Sequence, residues 1–308
     1  MELDPEILPA LQERVAASAG TVLPERGDVL GLRALIEARQ AESYAALPPA
    51  PEITVTAHRA GEIDLRWCVP PDGGPGSAVV YLHGGGMIAG TLDGYDPMLR
   101  HYTQLTGIPF LAVEYRRAPE HPGTGPAEDA FAALRWLVAH AAEFGVDPRR
   151  IALMGDSGGG GIAAGAAVLA REAGVPVARQ VLIYPMLDDR TVEPDPLLAP
   201  TATWTYDNNA TAWEAVLGDA RGGPDVPPVA APARLTDMTG LPPTYLEVGE
   251  LDIFRDECLA FAGRLLAAGV SCELHVRPGA PHGFEWLAKK AEVSRRALAD
   301  RVRVIRSV

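Results

Sequence analysis

Residues 151–161 read IALMGDSGGGG and continue as IAAGAAVLAREAG (162–174). The apolar run Ile151–Met154 predicts a buried strand, and the alanine-rich segment after the glycines predicts a helix. The glycines therefore fall at a strand-to-helix turn with Ser157 at its tip. Such a turn can be a phosphate cradle, a dinucleotide turn or a nucleophile elbow. A phosphate loop requires Lys-Ser/Thr to close the glycines, and Ile162 stands after Gly161 instead. A dinucleotide turn requires G-x-G-x-x-G and an acidic residue at the end of the next strand. Gly159, Gly161 and Gly165 match only a loosened form, and the next strand ends in Tyr184-Pro185. The elbow requires G-x-S-x-G, which Gly155-Asp156-Ser157-Gly158-Gly159 satisfies in full. The serine adopts a strained turn that lifts its Oγ off the sheet, so the residues two positions away on either side must lack a Cβ. The N-terminus of the following helix favours negative charge at the same point.

The bulk composition allows a large buried core and excludes a disordered polymer. The chain has 308 residues, 47% hydrophobic and 22% charged, long for one domain and short for two full ones. A formal net charge of −13 argues against nucleic acid as a partner and against anionic lipid surfaces. No segment approaches the roughly 18 consecutive apolar residues of a membrane span. Glu2, Asp4 and Glu6 open the chain, opposite in charge to a secretory signal, so a cytoplasmic location is expected. Cys68, Cys258 and Cys272 are odd in number and lack CxxC spacing, which predicts free thiols rather than disulfides or a zinc site.

Outward from the turn, strand and helix signals alternate. Helical spacing marks residues 1–46, and LPPAP (47–51) breaks it. ITVTAH and IDLRWCV predict two strands opening the sheet, as antiparallel additions at one edge. Further strands are expected at SAVVYL, 110–116, 151–155, 180–185, 244–250 and 272–278, and helices at 127–145, 158–173, 256–269 and 285–305. This order predicts an α/β fold with a mostly parallel central sheet covered by helices on both faces. Residues 186–242 interrupt the alternation just after a strand, on the side where such sheets bind ligands. The expected organisation is a catalytic domain at 51–185 and 221–308, capped by N-terminal helices (1–50) and an insertion (186–220).

A serine in an elbow is inert without a base, an orienting acid and an anion site. Asp252 lies two residues beyond the strand TYLEVGE, and His282 lies in a loop just beyond CELHVRP. The order Ser, acid, His is the one this architecture uses. Glu250 lies nearer its strand, and Asp256 reads as a helix cap. His275 alternates within a strand, His140 lies on a helix, and His58, His101 and His121 lack a strand-end context. His83-Gly84-Gly85-Gly86 follows a strand, and glycines there let backbone N–H groups approach a small oxygen. Two of those amides, with that of Gly158, would face an oxyanion, each donor worth roughly 3–4 kcal/mol in the transition state.

Together these segments resemble the hormone-sensitive-lipase-like carboxylesterases of the α/β-hydrolase fold. The resemblance rests on HGGG (83–86), EYRRAPEHP (114–122), GDSGGG (155–160), IYPMLDD (183–189), ELDIFRDE (250–257) and HGF (282–284), spread over nearly the whole chain. It implies Ser157 as nucleophile, His282 as base, Asp252 as orienting acid and Gly85, Gly86 and Gly158 as oxyanion amides. It implies His83 as a support of its loop, Asp256 as structural, no metal or organic cofactor, small short-to-medium acyl esters as substrates, and a homodimer as a common assembly. Two positions depart from the family. Gly158 stands where Ala is common, which keeps the amide but predicts a looser loop, and Gly-Thr-Gly-Pro-Ala follows His121-Pro122 where PFPA is usual. Trp204, Tyr206 and Trp213 are candidates for lining the acyl pocket. An amide hydrolase or deacetylase would use the same triad, and a ligand-binding protein could share the scaffold.

Overall fold

A computed structural model describes residues 1–17, 20 and 22–308. Ser18, Ala19 and Thr21, within the stretch expected to be helical, lie outside the described residues. Eight strands among the described residues form one sheet: β1 (Thr54–Ala60), β2 (Ile63–Val69), β3 (Ala78–Leu82), β4 (Phe110–Val113), β5 (Ile151–Asp156), β6 (Arg179–Ile183), β7 (Thr244–Gly249) and β8 (Cys272–Arg277). Their spatial order is β1-β2-β4-β3-β5-β6-β7-β8. β2 is antiparallel to both β1 and β4, and every other pair is parallel. The hairpin at the edge and the parallel body are those expected from the alternating and continuous apolar runs.

The chain steps from β3 outward to β4, then back across β3 to β5, and onward to β8. Because such crossovers are right-handed, reversing direction places successive helices on opposite faces. Helix α3 (Leu92–Thr106) packs with α9 (Glu292–Arg306), while α4 (Gly125–Ala139) packs with α5 (Gly158–Glu172). The central strands β3, β4 and β5 are buried at every residue, as parallel strands covered on both faces must be. Among the described residues no helix is long and apolar enough to cross a membrane.

Three elements differ from the sequence reading. Helix α3 was not anticipated, because Gly94 and Pro97 interrupt its first turns. Its signals are a cap, with Thr91 Oγ1 accepting from the Gly94 N–H at 3.1 Å, a left-handed Gly107 at its end, and inward residues Tyr95, Met98, Leu99 and Tyr102. The helix expected at 285–305 is two, α8 (Phe284–Leu287) and α9, separated by a turn at Ala288–Ala291. The stretch 1–46 contains α1 (Leu8–Ala17) and α2 (Val29–Ala45), the latter capped by Asp28, whose Oδ1 accepts from the Gly31 N–H at 2.9 Å. In the insertion after β6, Thr205 caps α6 (Tyr206–Leu217) through the Asn208 N–H. Helix α7 (Arg255–Ala267) packs on β7 and β8, and the four-residue α8 adjoins α9.

A buried ion network joins α9 to the sheet. Arg301, 1% exposed, donates to Glu247 of β7 and, at 2.6 Å, to Glu285, whose Oε1 also accepts from the Tyr184 hydroxyl at 2.6 Å. Arg277 meets the other oxygen of Glu247 at 3.0 Å and Asp300 at 2.8 Å. Despite full burial, the two guanidiniums hold the Glu247 carboxyl below its ordinary pKa. Removing one partner strands the others in low dielectric. Arg301→Met is therefore expected to cost about 3–5 kcal/mol of folding stability, read from urea unfolding midpoints; a cost under about 1 kcal/mol would remove this network from the stability argument.

Candidate active site

The turn from β5 to α5 is held by backbone contact. Ser157 has φ 55° and ψ −121°, a region costing a non-glycine residue about 1–3 kcal/mol. A Cβ at Gly155 would lie 2.2 Å from the Gly159 carbonyl oxygen, and one at Gly159 would lie 2.1 Å from that of Leu82. The two flanking glycines thus let the turn close on itself and on the end of β3. The Ser157 N–H donates to the Ile183 carbonyl at 2.8 Å, and its carbonyl accepts from the Met186 N–H at 2.9 Å. The chain after β6 thereby fixes the turn from its other side.

Ser157 Oγ lies 2.9 Å from His282 Nε2, and His282 Nδ1 lies 2.7 Å from Asp252 Oδ2. An ionised carboxylate only accepts, so Nδ1 carries the proton and Nε2 presents a lone pair to the serine hydroxyl. The Asp252 side chain is fully buried, and its other oxygen accepts from the Phe254 N–H at 3.0 Å. His282 is held between ring edges, with Tyr184 and Phe254 centroids at 4.6 and 5.1 Å, and its carbonyl accepts from Thr203 Oγ1 at 2.5 Å. The rival acids have other work. Glu250 accepts from the Gly279 N–H at 3.0 Å, bracing the loop that leads to His282, and exposed Asp256 pairs with Arg255 at 2.7 Å.

Gly85 and Gly86 line a cavity of about 140 Å³ that also exposes Ser157 and His282. Gly158 stands directly behind them: a Cβ there would lie 2.9 Å from the Gly86 nitrogen and 2.6 Å from that of Met87. The absence of a side chain thus lets the glycine loop approach Gly158 closely. Among the described residues, neither the Gly86 nor the Gly158 amide donates to another backbone carbonyl. Both remain available to a ligand oxygen beside the positive end of α5.

Residues that the sequence reading left unassigned hold this loop. Asp156 Oδ1 accepts from the Tyr81 hydroxyl and, at 3.1 Å, from the Gly84 N–H. Burial pushes the Asp156 carboxyl up to about 6, although the Tyr81 bond acts against the shift. His83 stacks on Tyr115 with centroids 4.2 Å apart, and burial lowers its pKa to about 4, so it is neutral near pH 7. That neutral, enclosed ring suits the supporting role the resemblance implies. Glu257, buried beside Asp256, accepts from the Leu187 and Asp188 N–H groups at 2.6 and 3.1 Å and anchors the insertion as it leaves β6. A carboxylate next to an exposed one offers no local signal of burial; its position in the first turn of α7 is the only clue.

Of the three aromatic candidates, only Trp204 lines the cavity, and its ring would meet a Cβ at Gly86 at 2.8 Å. Tyr206 and Trp213 are corrections. Neither is a lining residue; both are buried, Trp213 fully, in the packing around α6. Cys68 and Cys258 are buried free thiols and Cys272 is half-buried; burial raises Cys68 to about 12 and Cys272 to about 11.

The raised Asp156 pKa has a definite sign. Between its ordinary value and about 6 the folded chain binds a proton that the unfolded chain has released, so stability falls as pH rises through this window. Asp156→Asn should flatten the difference in unfolding free energy between pH 4 and 6 relative to the unsubstituted protein. Parallel pH profiles for the two proteins would refute the assignment.

The chain is similar over most of its length to known ester hydrolases. A family model described as alpha/beta hydrolase fold matches residues 79–286. Carboxylesterase NlhH of Mycobacterium tuberculosis is 38% identical over 249 residues, spanning 76% of this chain and 76% of that protein. An ethyl acetate hydrolase of Pseudomonas putida is 33% identical over 307 residues, 92% of each chain. The solved structure of a bacterial heroin esterase superposes with a TM-score of 0.85 at 38% identity, covering 99% of this chain and 97% of that one.

Proposed function

This chain belongs to the hormone-sensitive-lipase-like carboxylesterases of the α/β-hydrolase fold and is a carboxylic ester hydrolase, and we propose that it cleaves small, short-to-medium acyl esters through Ser157, His282 and Asp252. The reading rests on one observation: a strained serine whose Oγ is 2.9 Å from a histidine that is itself 2.7 Å from a buried carboxylate. His282 Nε2 takes the Ser157 proton as Oγ attacks the ester carbonyl carbon. The carbonyl oxygen becomes an oxyanion and accepts from the Gly85, Gly86 and Gly158 amides. Collapse of the tetrahedral intermediate breaks the bond to the alcohol oxygen, which leaves with the proton from His282. Water then repeats the steps on the acyl-enzyme, releasing the acid and restoring the serine. Asp252 holds the imidazole tautomer and stabilises the imidazolium. No step calls for a metal or organic cofactor.

The proposed division of labour follows the chain. Residues 51–185 and 221–308 form the catalytic domain, with 1–50 and 186–220 as a cap. Trp204 is the cap aromatic proposed to meet substrate. The modest cavity and the family favour short acyl groups. A series of p-nitrophenyl esters from acetyl to palmitoyl should give a rate that peaks at short chains. Ser157→Ala should lower kcat by about 10⁴–10⁶-fold. Equal rates for the two proteins across the series would overturn the proposal, and a palmitoyl optimum would overturn its substrate range.

A further inference from the structure

Two consecutive residues of the segment between β6 and β7 touch both halves of the proposed catalytic apparatus. Thr203 Oγ1 donates to the His282 carbonyl at 2.5 Å, and Thr203 lines the cavity that exposes Ser157. The Trp204 ring stands over the glycine loop, where a Cβ at Gly86 would meet it at 2.8 Å. Its centroid is 6.5 Å from that of the His282 ring. Asp252, Tyr184 and Phe254 fix the ring of His282, whereas Thr203 fixes its main chain.

The main chain needs that hold. Residues 278–283 leave β8 as a loop, and Gly283 turns left-handed, with φ 64°, just before α8. A glycine there gives the preceding peptide little stiffness of its own. The first part of the loop is tied to the strand-end beside it. The Gly279 N–H donates to Glu250 at 3.0 Å, and the Ala280 carbonyl accepts from the Leu251 N–H at 2.9 Å. Between Ala280 and Gly283 the restraint comes from across the site, through the Thr203 hydroxyl.

The segment carrying that hydroxyl is itself anchored. Trp204 Nε1 donates to Asn209 Oδ1 at 3.2 Å, and the Asn209 amide donates to the Thr191 carbonyl at 2.6 Å. The Thr191 hydroxyl donates in turn to Glu257 of α7. Trp204, Asn209 and Glu257 are all buried. Thr205 caps α6 through the Asn208 N–H at 3.1 Å. A buried network with its partners in place specifies one arrangement, so the hydroxyl is presented from a fixed position.

We infer that Thr203 is a positioning residue for ester cleavage: acting through the His282 main chain, its hydroxyl keeps Nε2 aligned with Ser157 Oγ. The inference rests on the Ser157–His282 reading of the same cavity. His282 takes a proton from Oγ and returns it to the leaving oxygen, in acylation and again in deacylation. Loosening it slows both steps without removing a contact to bound substrate, so kcat and kcat/KM fall together and KM stays.

The test compares the full chain with Thr203→Val, Thr203→Ser and Ser157→Ala on p-nitrophenyl acetate. Val keeps the shape of the side chain and loses the hydroxyl; Ser keeps the hydroxyl. For the chains that retain Ser157, rates are taken per reactive serine. These are counted at the end point of titration with diethyl p-nitrophenyl phosphate, which releases p-nitrophenolate as it phosphorylates Ser157. A partial loss of folded enzyme therefore cancels. Thr203→Val should lower kcat and kcat/KM by about tenfold, short of the roughly 10²-fold cost of a 1 Å misplacement, with KM nearly unchanged. Thr203→Ser should keep most of the rate. An undiminished kcat in Thr203→Val, a loss carried by KM alone, or an equal loss in Thr203→Ser would overturn the inference. With Ser157→Ala inactive, the ester-hydrolase reading stands in each of those cases. Activity retained in Ser157→Ala would overturn both.

Discussion

The close approach of three backbone segments without side chains between them governs this structure. The turn at Ser157, the end of β3 and the chain leaving β6 meet at distances that exclude a Cβ at Gly155, Gly159 or Gly161. The strain in Ser157 is tolerated because hydrogen bonds from both directions over-determine its backbone. From that contact the rest follows geometrically. The glycine loop after β3 is drawn against the start of α5, and the segment carrying Tyr184 is fixed beside it. The loops after β7 and β8 then need only supply Asp252 and His282 at the same end of the sheet.

Electrostatics and burial reinforce one another around this contact. Asp156 is largely buried, so Oδ1 is committed to Tyr81 and the loop amide of Gly84, with the Tyr95 hydroxyl 3.5 Å from Oδ2. His83 is kept neutral by enclosure and serves as a stacking and hydrogen-bonding wall. Tyr184 links the two regions: its ring edge supports His282, while its hydroxyl enters the Glu285–Arg301 network. The imidazole orientation is thus coupled through one aromatic ring to a salt bridge on α9.

Much of the fold was legible because the deciding signals are local. A continuous apolar strand, a glycine turn and an alanine-rich helix sit within one short stretch, and the parallel order follows from alternation. The elbow, the glycine loop and the strand-end positions of Asp252 and His282 were readable for the same reason, and the structure brings all of them together. What escaped depends on three-dimensional context. Helix α3 hides behind Gly94 and Pro97 because its stability comes from burying Tyr95, Met98 and Tyr102 rather than from propensity. Nothing near Glu247 in sequence announces Arg301, and only the packing of α9 on the sheet joins them. Trp204 and Trp213 look alike as letters; the side of α6 and its preceding loop that each occupies separates cavity wall from core.

The tie between α9 and β7 also bears on how the molecule comes into being on the ribosome. At roughly 5–20 residues per second, Ser157 leaves the exit tunnel many seconds before Arg301. For most of that interval the nascent chain can pair its early strands, but Glu247 has no Arg301 guanidinium to meet inside the sheet, and the imidazole of His282 that lies 2.9 Å from Ser157 Oγ in the finished fold has not been made. Completion of the core and assembly of the serine–histidine pair therefore wait on the same late segment. A polypeptide stalled before residue 282 holds the strained turn at Ser157 without the imidazole that stands beside it in the finished fold, and one stalled before α9 lacks the guanidinium that closes the core.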